Sequence, residues 1–167
     1  MNPAEEIVKY WLQRQGYFLE SSISVGYRNR EIDILAWHPL HPEKKRHIEV
    51  SVGIRMMDPK NTVESKAREY LDKKFDDKEG KIRQKIREKF GGDVPYTREL
   101  VVGDVQLKQQ GFDEFANACK ALGIEVIHFS TPLREVMRDL TSATELNPII
   151  KTVQLCKKFI PCVETDV

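Results

Sequence analysis

The stretch REIDILAWHPLHPEKKRHIEVSVG, Arg30 to Gly53, decides the fold. Two runs of alternating character, EIDILAW and HIEVSVG, flank the Pro- and Lys-rich connection HPLHPEKK. Side chains in a strand point alternately to opposite faces. The pattern therefore predicts two paired antiparallel strands, Glu31 to Trp37 and Arg46 to Val52. Ile32 and Ile34 fall on one face of the first, with Glu31, Asp33, Leu35 and Trp37 on the other. In the second, Ile48, Val50 and Val52 oppose Glu49 and Ser51. If the connection turns symmetrically, Asp33 lies beside Glu49, with Cβ atoms roughly 4.5 to 5.5 Å apart. Two carboxylates at that distance repel unless one is protonated or a cation lies between them. Mg²⁺, which prefers carboxylate, carbonyl and water oxygens, would meet that demand. On this reading, removing either acid relieves repulsion in the metal-free protein. A wet outer face would also carry acids, but Leu35 and Trp37 on the same side speak for a face that is partly covered.

Outward from the hairpin, Ile7, Val8, Trp11 and Leu12 recur at helical spacing between Pro3 and Gln15, with Gly16 as the stop. Tyr17 to Val25 is a strand, which makes an antiparallel meander of three. Two highly charged helical segments follow, TVESKAREYLDKKF and EGKIRQKIREKFGG, the first opened by Asp58-Pro59. RELVVGDV, GFDEFANACKALG and IEVIHF then read as strand, helix and strand, a right-handed parallel crossover. TPLREVMRDL is a further helix. Residues 143–167 form a C-terminal helical appendage, built on Ile149, Ile150, Val153 and Leu155, packed on a single domain of residues 1–142. The fold class is α/β, a central mixed sheet of about five strands flanked by helices.

The chain has 167 residues, and its 27 Lys and Arg against 26 Asp and Glu give a net charge of +1. Any attraction to nucleic acid must then come from local patches. No run approaches the roughly 20 apolar residues that span a bilayer, and the N-terminus lacks a secretory pattern, so a cytoplasmic protein with no membrane partner is expected. Cys119, Cys156 and Cys162 lack metal-ligand spacing and read as reduced thiols. His38, His41 and His47 cluster around the hairpin connection and read as loop histidines rather than zinc ligands.

The order of helix, EIDILA and IEVS resembles the PD-(D/E)xK nuclease superfamily, the restriction-endonuclease-like fold of Holliday-junction resolvases and Mrr-type restriction enzymes. The similarity spans roughly Pro3 to Leu140. It implies a metal-dependent nuclease that hydrolyses DNA with Mg²⁺, or Mn²⁺, as cofactor. Carried over position by position, Asp33 and Glu49 match the metal-binding acids, and the Val50 carbonyl matches the backbone ligand. Glu5 matches the first-helix acid, with Glu6 as its competitor, because one helical position is a rotation of about 100°.

Ser51 departs from the pattern, since the family carries a lysine there to oppose negative charge on the phosphate, a task a neutral hydroxyl does not perform. Lys60 and Lys66 are the candidates for a displaced lysine, and Lys66 is preferred for its place farther along the helix. The alternative is a weakly active or inactive nuclease-like module for nucleic-acid binding or assembly. Lys44, Lys45, Arg46 and Lys60 are the candidate phosphate contacts, which position nucleic acid without reading bases. A homodimer is left open by the sequence.

Overall fold

The computed structural model describes residues 2–26, 30–52, 62–76, 79–103, 111–140 and 147–159. Helix α1 (Pro3–Arg14) begins where Asn2 accepts the Ala4 N–H on its side chain at 3.1 Å, and Pro3 occupies the first turn, where no amide partner is needed. Gly16, at φ +86°, then turns the chain into β1 (Phe18–Ser24). A Cβ on Gly16 would lie 3.0 Å from the His38 ring, so position as well as φ asks for glycine there.

Strands β2 (Glu31–His38) and β3 (His41–Ser51) follow, joined by Pro39 and Leu40. The hairpin is tighter than its Pro-rich connection implied, because β3 begins at His41 rather than Arg46. The register is Trp37↔Lys45 but His38↔His41, so Pro42, Glu43 and Lys44 bulge from the ladder. Pro42 has no amide hydrogen for that ladder, and a bulge is where a strand tolerates it.

Helix α2 (Val63–Tyr70) is capped by Thr62, whose hydroxyl accepts the Ser65 N–H at 3.2 Å; the expected start at Asp58-Pro59 lies outside the described residues. It runs directly into a π-helical turn, Leu71–Phe75, closed by Asp76 N–H donating to the Leu71 carbonyl at 2.8 Å. The buried positions Val63, Ala67, Leu71 and Phe75 recur every four residues. An α-helix overshoots by about 40° at each such step. The wider π turn takes up that drift and keeps Phe75 on the sheet side.

After α3 (Lys81–Phe90) come β4 (Thr97–Val102), α4 (Phe112–Ala121), β5 (Glu125–His128), α5 (Ser130–Asp139) and α6 (Pro148–Phe159). The fold is α/β. Its mixed sheet has the order β1-β2-β3-β4-β5, antiparallel through β3 and parallel from β3 to β5.

Ile34, Ala36, Ile48, Val50 and Val101 form one face of the sheet and pack on α1, α5 and α6. Leu100 and Val102 face α2, the π turn and α4 on the other side. Leu35 packs with Ile82 and Ile86 of α3. Helices α5 and α6 thus join α1 on this face; Trp11 Nε1 donates to Glu135 of α5 at 2.6 Å, and Ile150 of α6 is buried in the same core. Ile32 clusters with Ile23, Leu35 and α3 rather than with Ile34, next to Ser22, whose φ of +53° interrupts β1. Among the described residues no helix is long and apolar enough to cross a membrane. Cys119 is buried and Cys156 exposed, both as free thiols; Cys162 lies outside the described residues.

One polar group crosses the β3–β4 junction. Arg46 clamps Glu99 through Nε at 2.7 Å and through a second guanidinium nitrogen, and Thr97 donates to the same carboxylate at 2.8 Å. The guanidinium also lies over the rings of Trp11 and Tyr17. Removing one partner of a buried pair leaves the other charge uncompensated. Glu99→Ala is expected to lower stability by about 3–5 kcal/mol, whereas Arg46→Met combined with Glu99→Leu costs far less. Urea unfolding of the two variants checks this; equal losses would assign the effect to packing.

Candidate active site

Between Trp37↔Lys45 and Ile34↔Ile48, β2 and β3 pair in regular antiparallel register. The next residues along are Asp33 and Glu49, and there carboxylates replace carbonyls as acceptors. Asp33 N–H donates to Glu49 Oε1 at 3.3 Å, and Val50 N–H donates to Asp33 Oδ2 at 2.8 Å. Each acid thus fastens the other's strand. The two side chains meet as the alternation predicted, on the face covered by the π turn.

Lys74 reaches both. Its Nζ is 2.8 Å from Glu49 Oε2 and 3.5 Å from Asp33 Oδ2. It reaches them because the π turn sets Phe75 into the sheet, against the His47 ring at 4.9 Å, and so aims the preceding side chain at the acids. Lys66, Tyr70 and Lys74 are spaced by four along one flank of this helix. The Lys66 ammonium pairs with Glu69 at 2.8 Å and lies over the Tyr70 ring, so the lysine at the acids is two turns beyond the residue preferred from sequence. Lys60 lies outside the described residues.

His47 is fully buried rather than a loop residue. Its Nε2 is 2.8 Å from Glu49 Oε1. The signal for it was the spacing H-x-E, which puts two strand residues on one face. His38 and His41 are at the turn itself, with ring centroids 4.8 Å apart.

Ser51, at the position of the family lysine, shares a hydrogen bond of 2.9 Å with Tyr70 Oη. Glu5 accepts from Asn2 Nδ2 at 2.7 Å and adds to the negative field at Asp33. Glu6 turns away to Lys9 and to Asn147 Nδ2, the latter at 2.9 Å, which leaves Glu5 as the first-helix acid nearer the pair. Lys44 is exposed, and the Lys45 ammonium lies over Phe90. Arg46 corrects the sequence reading: its guanidinium is spent on Glu99 and buried between aromatic rings, so it is not offered to phosphate.

The two acids differ in charge state. Burial, then the charge of Glu49, push Asp33 up to about 7, against the pull of Lys74 and the Val50 amide. Burial works against ionised Glu49 too, but the hydrogen bond and electrostatic pull of His47, with those of Lys74, hold it below the ordinary range. Lys74 is held above its ordinary value because both acids outweigh its burial. An acid pair whose environments drive the two members apart is a common property of sites built for chemistry.

Among the described residues no group of three or more His, Cys, Asp or Glu side chains is arranged to enclose a metal ion. Mg²⁺ does not require one, since it keeps several waters and binds through one or two carboxylates. Glu49 Oε2 is buried, and its one contact among the described residues is the Lys74 ammonium at 2.8 Å. That oxygen and the carboxylate of Asp33 beside it are the groups that would hold a hard cation, which would have to displace the Lys74 ammonium now between them.

The folded protein holds a proton on Asp33 that the unfolded chain loses above its ordinary value of 3.8. That contribution to stability is complete below the unfolded value and is lost as pH rises through about 7. Relative to Asp33→Asn, the wild type is expected to lose stability between those limits with a slope of up to about 1.4 kcal/mol per pH unit. Urea midpoints measured across the range check this; parallel curves would mean that Asp33 is ionised throughout. Compared with protein-family models, curated protein sequences and solved structures, the chain has no match.

Proposed function

We propose that this protein is a metal-dependent nuclease of the PD-(D/E)xK type that hydrolyses phosphodiester bonds in DNA, with the motif lysine supplied by Lys74 in place of Ser51. The observation that carries this reading is the contact of Lys74 with Glu49 and Asp33 at 2.8 and 3.5 Å. It puts the three charged groups expected of such a site within one another's reach, although the lysine comes from a helix rather than from the strand.

Asp33, Glu49 and the Val50 carbonyl would hold Mg²⁺ or Mn²⁺, with the charge of Glu5 reaching Asp33 from α1. When bound, such an ion lowers the pKa of a water and opposes charge developing on the phosphoryl group. The chain's own residues do the rest. Lys74 offers a point charge with three donors to the phosphoryl oxygens, where a neutral hydroxyl offers only a dipole. Its pairing with the acids keeps it protonated, as that role requires. Asp33 and Glu49 are held by backbone amides of the opposing strands, so their oxygens are fixed before substrate arrives. Lys44, exposed at the hairpin bulge, would meet phosphates along the backbone, which gives affinity without sequence preference.

A second reading has its own observation. With Lys74 between the acids and Asp33 pushed up to about 7, the pair is neutralised without a metal. That suits a nuclease-derived module that binds nucleic acid and does not cut.

A nicking panel on supercoiled, single-stranded and branched DNA with Mg²⁺ or Mn²⁺ separates the two. The wild type is expected to cut at least one form, Lys74→Ala to lose about 10²–10³-fold in rate, and Lys66→Ala to stay near wild type. If the wild type binds these DNAs with either ion and cuts none, the binding-module reading replaces the nuclease. Loss with Lys66→Ala and retention with Lys74→Ala would return the catalytic role to Lys66.

A further inference from the structure

His47 is the least economical residue of the core. Its side chain is fully buried between Phe75, at a ring distance of 4.9 Å, and Tyr96, at 6.3 Å, where an apolar side chain would pack without polar atoms to satisfy. Its Nδ1 is buried and has no hydrogen-bond partner among the described residues. Leaving a polar atom so forfeits its hydration with nothing in return. The other ring nitrogen shows what that cost is set against. Nε2 lies 2.8 Å from Glu49 Oε1. A proton on Nδ1 would face two lone pairs across that contact, so the hydrogen-bond network puts it on Nε2, which donates to the carboxylate.

Glu49 Oε1 therefore carries two donors, His47 Nε2–H and the Asp33 amide at 3.3 Å. Oε2 has no amide or imidazole donor and meets only the Lys74 ammonium, at 2.8 Å. The two oxygens of one carboxylate have been given different tasks.

We propose that His47 is the positioning residue of this site: by occupying Oε1 it reserves Oε2 of Glu49 for the cation, so that the carboxylate engages the ion through a single oxygen. The inference rests on the metal-dependent reading above and deepens it by specifying the class of ion. Single-oxygen engagement suits a small cation with strict octahedral demands such as Mg²⁺ or Mn²⁺. Ca²⁺ is larger and accepts carboxylates through both oxygens, and gains nothing from the restriction. His47 thus acts through Glu49 and discriminates between ions without touching either.

The test is calorimetric titration of Mn²⁺ and of Ca²⁺ into the metal-free full chain, compared across His47→Gln, His47→Asn and His47→Leu. Glutamine can place an amide N–H near the position of Nε2, whereas asparagine places its amide near Nδ1 and leucine has no donor. Mn²⁺ affinity is expected to stay near wild type in His47→Gln and to fall about 10–100-fold in His47→Leu and His47→Asn. Ca²⁺ affinity is expected to fall less, narrowing the preference between the ions. Should His47→Leu not fold, the Gln and Asn pair decides by the same contrast. Equal Mn²⁺ affinity in Gln and Asn variants, or a uniform loss for both ions, overturns the positioning role and leaves the nuclease reading standing. A wild type that binds neither ion overturns both.

Discussion

Lys74 joins the two acids of the hairpin across the edge of a helix, and the architecture around it answers to that contact. Glu49 has no exposed side-chain surface, and Asp33 beside it is largely covered. At an effective dielectric of about 20, like charges 4 Å apart repel by roughly 4 kcal/mol. Three devices in the structure oppose that repulsion: the ammonium between the carboxylates, the proton that Asp33 retains to about neutral pH, and the amide and imidazole donors that hold individual oxygens. Only the imidazole comes from the acids' own strand; the ammonium and the amides come from other elements, so the site exists only in the assembled fold.

This arrangement changes what the acids do for stability. Considered alone on a hairpin, two facing carboxylates are a liability that either deletion would relieve. In the structure, Glu49 accepts hydrogen bonds from Asp33 N–H and His47, and its loss would leave an imidazole and an amide unpaired in a covered space and the ammonium with Asp33 alone. Asp33 similarly satisfies the Val50 amide. The acids are charged groups and also the continuation of the β2–β3 ladder past Ile34 and Ile48, where side-chain oxygens stand in for carbonyls.

Much of this was legible in the sequence because strand periodicity is rigid. A period of two leaves no freedom in which residues share a face, so Asp33 and Glu49 could be set opposite each other, and Leu35 on their side signalled the cover that α3 provides through Ile82 and Ile86. The parallel β4–α4–β5 unit followed from the same kind of regularity. What could not be read were features set by packing between elements. His47 falls within the predicted strand, and what the strand pattern does not carry is its cover: Phe75 and Tyr96, from distant elements, bury its ring. Lys74 was missed because an ideal helix rotates it away from Lys66 and Tyr70. The trace of its position was there in the spacing of Val63, Ala67, Leu71 and Phe75, four apart at every step, which no straight α-helix keeps on one side for so long.

The π turn also makes the site sensitive to chain length in a way that composition does not reveal. A π turn is an α-helix carrying one surplus residue, and excising that residue restores ideal geometry with little cost to the helix itself. Every side chain beyond the excision would swing by about 100° around the axis. Loss of the Leu71 codon would thus give a chain with a more regular helix and every charged group retained, in which the ammonium no longer meets the acids and Phe75 no longer meets His47. In this stretch an in-frame deletion is more severe than most substitutions, and helical regularity itself is the defect.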